Sequence, residues 1–225
     1  MGIFFKGKDR FGIPENDNGE TVVLLHGLFT GAYIMAPLAR CFRECGYRTV
    51  LYDYPTVTQE LPPLGEGLAA FLNAERFNTA AKIHFVTHSM GGLLFRAAVN
   101  DISPERRKQI GRVVMIAPPN KGSDMAALAV KIVPGARHIV AAIHNLSSAP
   151  DSFANTFPEP PHSCEIGVIA ASCDWEVRRP YTHLTHEWAH IVLKGTHTGI
   201  LFSAEAAEQT RCFIQNGKFK EGRAS

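Results

Sequence analysis

The chain predicts an α/β domain in which a mostly parallel sheet of about six strands carries helices on both faces. Two observations point there. Short runs rich in Val, Ile and Leu alternate with longer segments of helical period, and those runs are apolar throughout, as strands buried on both faces must be.

Taken in order, Thr21-Val22-Val23-Leu24-Leu25 reads as the first buried strand and Ala36 to Glu44 as the helix behind it. Arg48 to Tyr52 is a second strand, followed after Pro62-Pro63 by a helix from about Leu64 to Arg76. Ile83 to Val86 runs into a helix from Gly91 to about Asn100, and Arg112 to Ile116 is a strand that stops at Pro118-Pro119. Glu165 to Ala170 and His190 to Leu193 add two more strands, and Ser203 to Gln215 closes the chain as a helix. There is no internal repeat, and residues 1–225 read as one domain with a small cap or insertion at about 120–163.

With 225 residues, 45% of them apolar, the chain can bury about 70% of the surface its unfolded form exposes, so it needs no disulfides to fold. Its net charge of +2, from 23 basic and 21 acidic residues spread along the chain, leaves no electrostatic footprint for nucleic acid. The opening MGIFFKGKDRFGIPEN lacks the apolar run of a signal peptide, and no segment has the length of a membrane span. A cytoplasmic protein without membrane insertion is expected. Five cysteines without CxxC spacing agree, and Cys41 and Cys45, one helical turn apart, read as buried thiols.

Residues 183–197, HLTHEWAHIVLKGTH, hold four of the ten histidines. His186-Glu187-Trp188-Ala189-His190 spells H-E-x-x-H, which on a helix grips zinc between two imidazoles with the glutamate as general base. The Ile191-Val192-Leu193 that follows is β-rich, and a strand there does not put both imidazoles on one face. No metal site is therefore expected.

The stronger signal is Phe85-Val86-Thr87-His88-Ser89-Met90-Gly91-Gly92. A strand that turns abruptly into a helix at x-x-Ser-x-Gly holds the serine on a strained, exposed corner, and Gly91 and Gly92 let the helix lie close to the sheet. A nucleophilic serine needs a base and a site for the oxyanion it creates. Backbone N–H groups of Met90, after the nucleophile, and of Leu28, in the loop His26-Gly27-Leu28-Phe29-Thr30-Gly31 after the first strand, are the expected oxyanion donors. His26 braces that loop.

These residues resemble the α/β-hydrolases, and within them the small bacterial serine esterases and lipases, with acyltransferase-like hydrolases among them. The shared marks are HGLFTG at 26–31, Gly46 to Val50 leading to Asp53-Tyr54-Pro55-Thr56, THSMGG at 87–92, APPNKGS at 117–123 and the tail at 196–219. Thr87 stands where the family has a glycine. The resemblance implies a triad in chain order serine, acid, histidine. The base is then His197, following the strand His190 to Leu193. The acid is Asp174, where similar proteins carry Asn-Asp-Gly, with Trp175 in place of that glycine and Glu176 and Asp151 as fallbacks.

The segment from Asn120 to Ser163 supplies the cover of the site. Met125, Leu128, Ile132 and Val133 suggest an amphipathic helix, and residues 151–157 an irregular loop with exposed aromatics. Phe29, Trp175 and Phe153 are the expected substrate contacts. The reading is a serine ester hydrolase acting on short- to medium-chain acyl esters, small-molecule or lipid, through an acyl-enzyme without a cofactor. An acyltransferase or thioesterase with the same triad is the near alternative. A zinc peptidase through HEWAH, or a non-catalytic binding protein on the same fold, are remote ones.

Overall fold

The structure, a computed structural model, describes residues 10–132, 135 and 140–221. Residues 1–9 of the opening segment and Val133 of the expected amphipathic helix lie outside the described residues. The strands are β1 (Arg10–Gly12), β2 (Thr21–Leu25), β3 (Arg48–Tyr52), β4 (Ile83–His88), β5 (Ile110–Ile116), β6 (Ile166–Ala171) and β7 (Ala189–Leu193). They form one sheet in the order β1-β3-β2-β4-β5-β6-β7. All neighbours pair in parallel except β1, which runs antiparallel on β3 with Arg10 opposite Leu51.

That seventh strand was not expected from the sequence. It is three residues long and largely exposed, with Phe11 51% accessible, so it carries none of the apolar run that marks a buried strand. The six expected strands are present: β2 and β3 have the expected ends, and those of β4 to β7 shift by at most two residues.

The helices that cover the sheet are α1 (Ala36–Glu44), α2 (Leu61–Leu72), α3 (Met90–Val99), α4 (Pro104–Arg107), α5 (Asp124–Ile132), α6 (Phe153–Thr156) and α7 (Ala204–Asn216). Pro62 and Pro63 do not precede α2 as the sequence suggested: they occupy its first turn, where a missing N–H costs nothing. The core splits accordingly. One cluster joins the sheet to α2, α3 and the cap through Leu64, Leu68, Phe85, Leu93, Phe95 and Phe153; the other joins it to α1 and α7 through Leu38, Phe42, Val86, Val114 and Phe213. All five cysteines are free, and Cys41 and Cys45 are only partly buried rather than core thiols.

The cap differs from its expected form. Residues 151–157 are not a loop of exposed aromatics: Phe153 is 7% accessible and stacks on Phe157 with centroids 4.2 Å apart. The reason lies in α3. Arg96, fully buried, donates from Nη1 to the Asn120 carbonyl (2.9 Å) and from Nη2 to those of Ala154 (3.3 Å) and Phe157 (2.7 Å). Burial pulls its pKa down to about 10, which still leaves it charged near neutral pH. One guanidinium thus clamps both ends of the cap onto the helix behind Ser89.

Among the described residues no helix is long and apolar enough to cross a membrane. Arg96→Ala would strip three backbone carbonyls, two of them in buried bonds, of this donor. It is expected to lower stability by roughly 3 kcal/mol or more, read as a lower urea midpoint with the slope unchanged.

Candidate active site

The chain passes from β2 to β3 on one side of the sheet and then to β4 on the other, so a crevice opens at the carboxyl ends of β2 and β4. Ligands of open α/β sheets bind at such switch points. Backbone strain concentrates at this edge. Among the described residues, the non-glycine positions with positive φ are Phe29 after β2 (57°), Ser89 after β4 (50°) and Ala117 after β5 (48°).

Ser89 is the corner between β4 and α3. Its N–H donates to the Ile116 carbonyl (2.9 Å) and its carbonyl accepts from Gly92 N–H (2.9 Å), which holds the strained residue from both sides. A Cβ on Gly91 would stand 2.6 Å from the Leu25 carbonyl oxygen and 2.8 Å from that of His26. Only glycine therefore lets α3 start this close to β2. Thr87, in place of a glycine, is fully buried in β4 and its hydroxyl has no protein hydrogen-bond partner among the described residues.

The Ser89 hydroxyl lies 2.9 Å from His197 Nε2, and His197 Nδ1 lies 2.7 Å from Asp174 Oδ2. Nδ1–H donates to the carboxylate, so Nε2 is left to accept from the serine. The Asp174 side chain is only 2% accessible, and its other oxygen accepts from the N–H groups of Glu176 and Val177 at 2.9 Å each. Two backbone bonds carry this registration. Ser172 N–H donates to the Leu193 carbonyl and Cys173 N–H to that of Gly195, so the loops after β6 and β7 are tied before they diverge.

Of the fallback acids, Glu176 lies on the other side of the imidazole, 3.8 Å from Nε2 and 63% accessible, while Asp151 faces His144. Neither reaches Nδ1.

His88 was not singled out by the sequence as a site residue, although it sits beside Ser89 in THSMGG. It is 2% accessible, and its Nε2–H donates to the His197 carbonyl at 3.0 Å, tying the loop that carries His197 to β4. Burial, reinforced by the His197 imidazole, depresses its pKa to about 3, so it stays neutral. His26 is likewise buried. Its Nδ1 lies 3.0 Å from the Gly27 carbonyl, and its ring stacks on Tyr54, whose hydroxyl donates to the His26 carbonyl. It braces the loop that carries Leu28.

The cleft over Ser89 has a volume of about 280 Å³. Leu28, Met125, Ala126, Ile143, Leu146 and Val177 give it apolar walls. Phe29 lines it as the sequence suggested. The two other expected contacts do not. Trp175 is 84% accessible and does not line the cleft; it sits in the turn that Asp174 closes through the N–H groups of Glu176 and Val177. Phe153 is taken into the core by the Arg96 clamp. Met125 from α5 was read as one of an apolar stripe; it is 55% accessible and contributes to the cleft.

The H-E-x-x-H letters do not form a helical metal grip, since Ala189 and His190 already belong to β7. His186 instead packs on the ring of His162, with centroids 3.6 Å apart.

This architecture and edge geometry are those of the α/β-hydrolase fold, and solved structures of that class superimpose on it. The mature lipase BlEst2 of Bacillus licheniformis matches with a TM-score of 0.76 at 18% identity, covering 94% of this chain and 98% of that one. Lipase B of Aspergillus fumigatus matches at 0.72 and 16%, covering 94% of this chain and 57% of that one. The enol-lactonase of Burkholderia xenovorans matches at 0.62 and 14%, covering 92% and 96%. Within the fold, the chain belongs to the family DUF7379, a domain of unknown function, whose profile matches residues 8–157. That match takes in Ser89 and ends before Asp174 and His197.

Because His88 is neutral when folded and an exposed histidine takes a proton near pH 6.5, the unfolded state binds the extra proton between those values. Stability from this group is complete above about pH 6.5 and falls as the pH drops toward 3, by at most about 1.4 kcal/mol per pH unit. His88→Asn should flatten that slope, measured as urea midpoints of both proteins from pH 7 down to about 4.

Proposed function

We propose that this chain is a serine ester hydrolase that acts through an acyl-enzyme on short- to medium-chain acyl esters. The observation that carries the reading is the unbroken relay from Ser89 Oγ through both nitrogens of His197 to Asp174, at 2.9 and 2.7 Å, set on a left-handed strand-to-helix corner. Neighbouring folds that are lipases and an enol-lactonase support ester chemistry.

His197 takes the proton of Ser89 as the hydroxyl attacks the ester carbonyl, and then gives it to the leaving alcohol. Asp174 keeps the imidazole in the tautomer that leaves Nε2 free and stabilises the imidazolium formed during attack. The N–H groups of Leu28 and Met90 take the oxyanion, each donor contributing about 3 kcal/mol to the transition state, aided by the positive end of α3. Water then attacks the acyl-serine with His197 as base. Each step uses a side chain or backbone N–H of this chain, so the chemistry calls for no cofactor.

The apolar walls fit an acyl chain, and about 280 Å³ lies just below the roughly 300–1,000 Å³ of small-molecule pockets. A short or medium chain suits that space better than a long one.

Stoichiometric labelling of Ser89 by a fluorophosphonate, absent in Ser89→Ala and read by intact-protein mass spectrometry, is the expected result. An unlabelled wild-type protein would refute the mechanism. Asp174→Asn retains an oxygen for the Glu176 and Val177 N–H groups but favours the wrong imidazole tautomer. Its kcat on a short-chain nitrophenyl ester should fall by about four orders of magnitude with KM little changed.

A further inference from the structure

We infer that His183, Glu187 and His190 form a structural binding site for a divalent transition-metal ion of the zinc class, separate from the Ser89 cleft. One coordinating atom from each residue lies within 4.8 Å of the other two. None of the three lines the cleft. Two imidazoles and one carboxylate, with water as fourth ligand, are a donor set that suits zinc and its first-row neighbours better than magnesium or calcium.

The supporting contacts are those that orient metal ligands. The imidazoles of His183 and His190 stack with centroids 3.8 Å apart and planes 15° apart, which puts their nitrogens side by side with in-plane lone pairs nearly parallel, so the more exposed His183 ring must turn for both to meet one ion. His190 Nε2 lies 2.9 Å from the Thr182 hydroxyl, which itself donates to the Arg179 carbonyl at 2.7 Å. That hydroxyl has one proton and has spent it, so it accepts from Nε2–H and leaves the His190 lone pair on Nδ1. Glu187 is held in the same way. Its Oε2 accepts from Leu184 N–H at 2.9 Å, and its Oε1 is 2.6 Å from His183 Nδ1. Outer contacts of this kind fix ring tautomer and carboxylate direction in metal sites.

Bonds of about 2.1 Å in a tetrahedral site require ligand atoms about 3.4 Å apart, so the cluster must contract by roughly an ångström. His183, whose side chain is 49% accessible, is free to make that move. The ion would replace the proton shared by His183 and Glu187, and the exposed side of the cluster admits its water.

The site would join two pieces of backbone. His183 and Glu187 belong to the connection between β6 and β7, which also carries Asp174, and His190 belongs to β7. A bound ion would cross-link that connection to the edge strand and stiffen the segment on which Asp174 rests. The ligand set also differs from the H-E-x-x-H reading: His183 takes the place of His186.

The full chain, dialysed against EDTA, should be titrated with zinc sulfate by calorimetry and by thermal melting. One ion per chain and an upward shift in Tm are expected. Glu187→Gln, which keeps an oxygen for Leu184 N–H, and His183→Ala, at an exposed position, should each weaken binding by about tenfold or more. His186→Ala should bind as the wild type does. Absence of saturable binding, equal binding in Glu187→Gln and His183→Ala, or loss in His186→Ala would overturn the proposal. Fluorophosphonate labelling of Ser89 is a separate readout, so failure here leaves the hydrolase reading standing.

Discussion

The site depends first on the left-handed corner at Ser89. With φ 50° and ψ −121° the residue sits in a sparsely populated region that costs on the order of 1–3 kcal/mol, and two backbone hydrogen bonds, to Ile116 and from Gly92, offset much of it. The corner turns the chain from a buried strand into a helix without an intervening loop, which leaves the serine side chain at the carboxyl edge of the sheet. It forms only because Gly91 lets α3 approach the carbonyls at the end of β2. The same approach brings the His26–Gly31 loop, braced by His26 and Tyr54, beside Ser89.

The other half of the site is assembled by backbone rather than by side chains. Hydrogen bonds between Ser172 and Leu193, and between Cys173 and Gly195, register the ends of β6 and β7 so that Asp174 and His197 meet. His88 adds a cross-tie from β4 to the backbone of His197. Its neutrality follows from the burial that makes the tie strong, since a charged imidazole there would be costly to desolvate. Glu176 and Val177 contribute amides to Asp174 and also line the cleft, so Asp174 and one cleft wall share one turn.

The cap is held by a different device. Arg96 ties the carbonyls of Asn120, Ala154 and Phe157 to the helix that follows Ser89. A buried guanidinium is a demanding way to anchor a segment, because it must find acceptors for several N–H groups at once. Three backbone carbonyls accept from its two Nη groups, while its buried Nε–H has no protein partner among the described residues; Phe153, next to Ala154, lies in the core beside this clamp.

Much of the architecture was legible from local pattern alone. Six strands announced themselves as apolar runs, because burial on both faces leaves no choice of residue type. The elbow announced itself because a tight strand-to-helix turn needs small residues after the serine. That Asp174 and His197 would lie beside Ser89 was implied by the resemblance to the α/β-hydrolases and not by local pattern; the three side chains are neighbours in the structure. Contacts made at a distance in sequence were not legible. β1 is too short and too exposed to carry a pattern, and its pairing with β3 exists only in the sheet. Phe153 and Trp175 were both expected cleft walls; the distant Arg96 side chain holds the segment that puts one in the core, and the turn that Asp174 makes beside the other accompanies its exposure. The histidines of 183–197 divide in the same way. The sequence by itself determined that a helical H-E-x-x-H was improbable, because a β-rich run follows it. Only tertiary structure decided that His183, not His186, stands beside Glu187 and His190, because the turn before β7 folds one ring onto another and no periodicity encodes that.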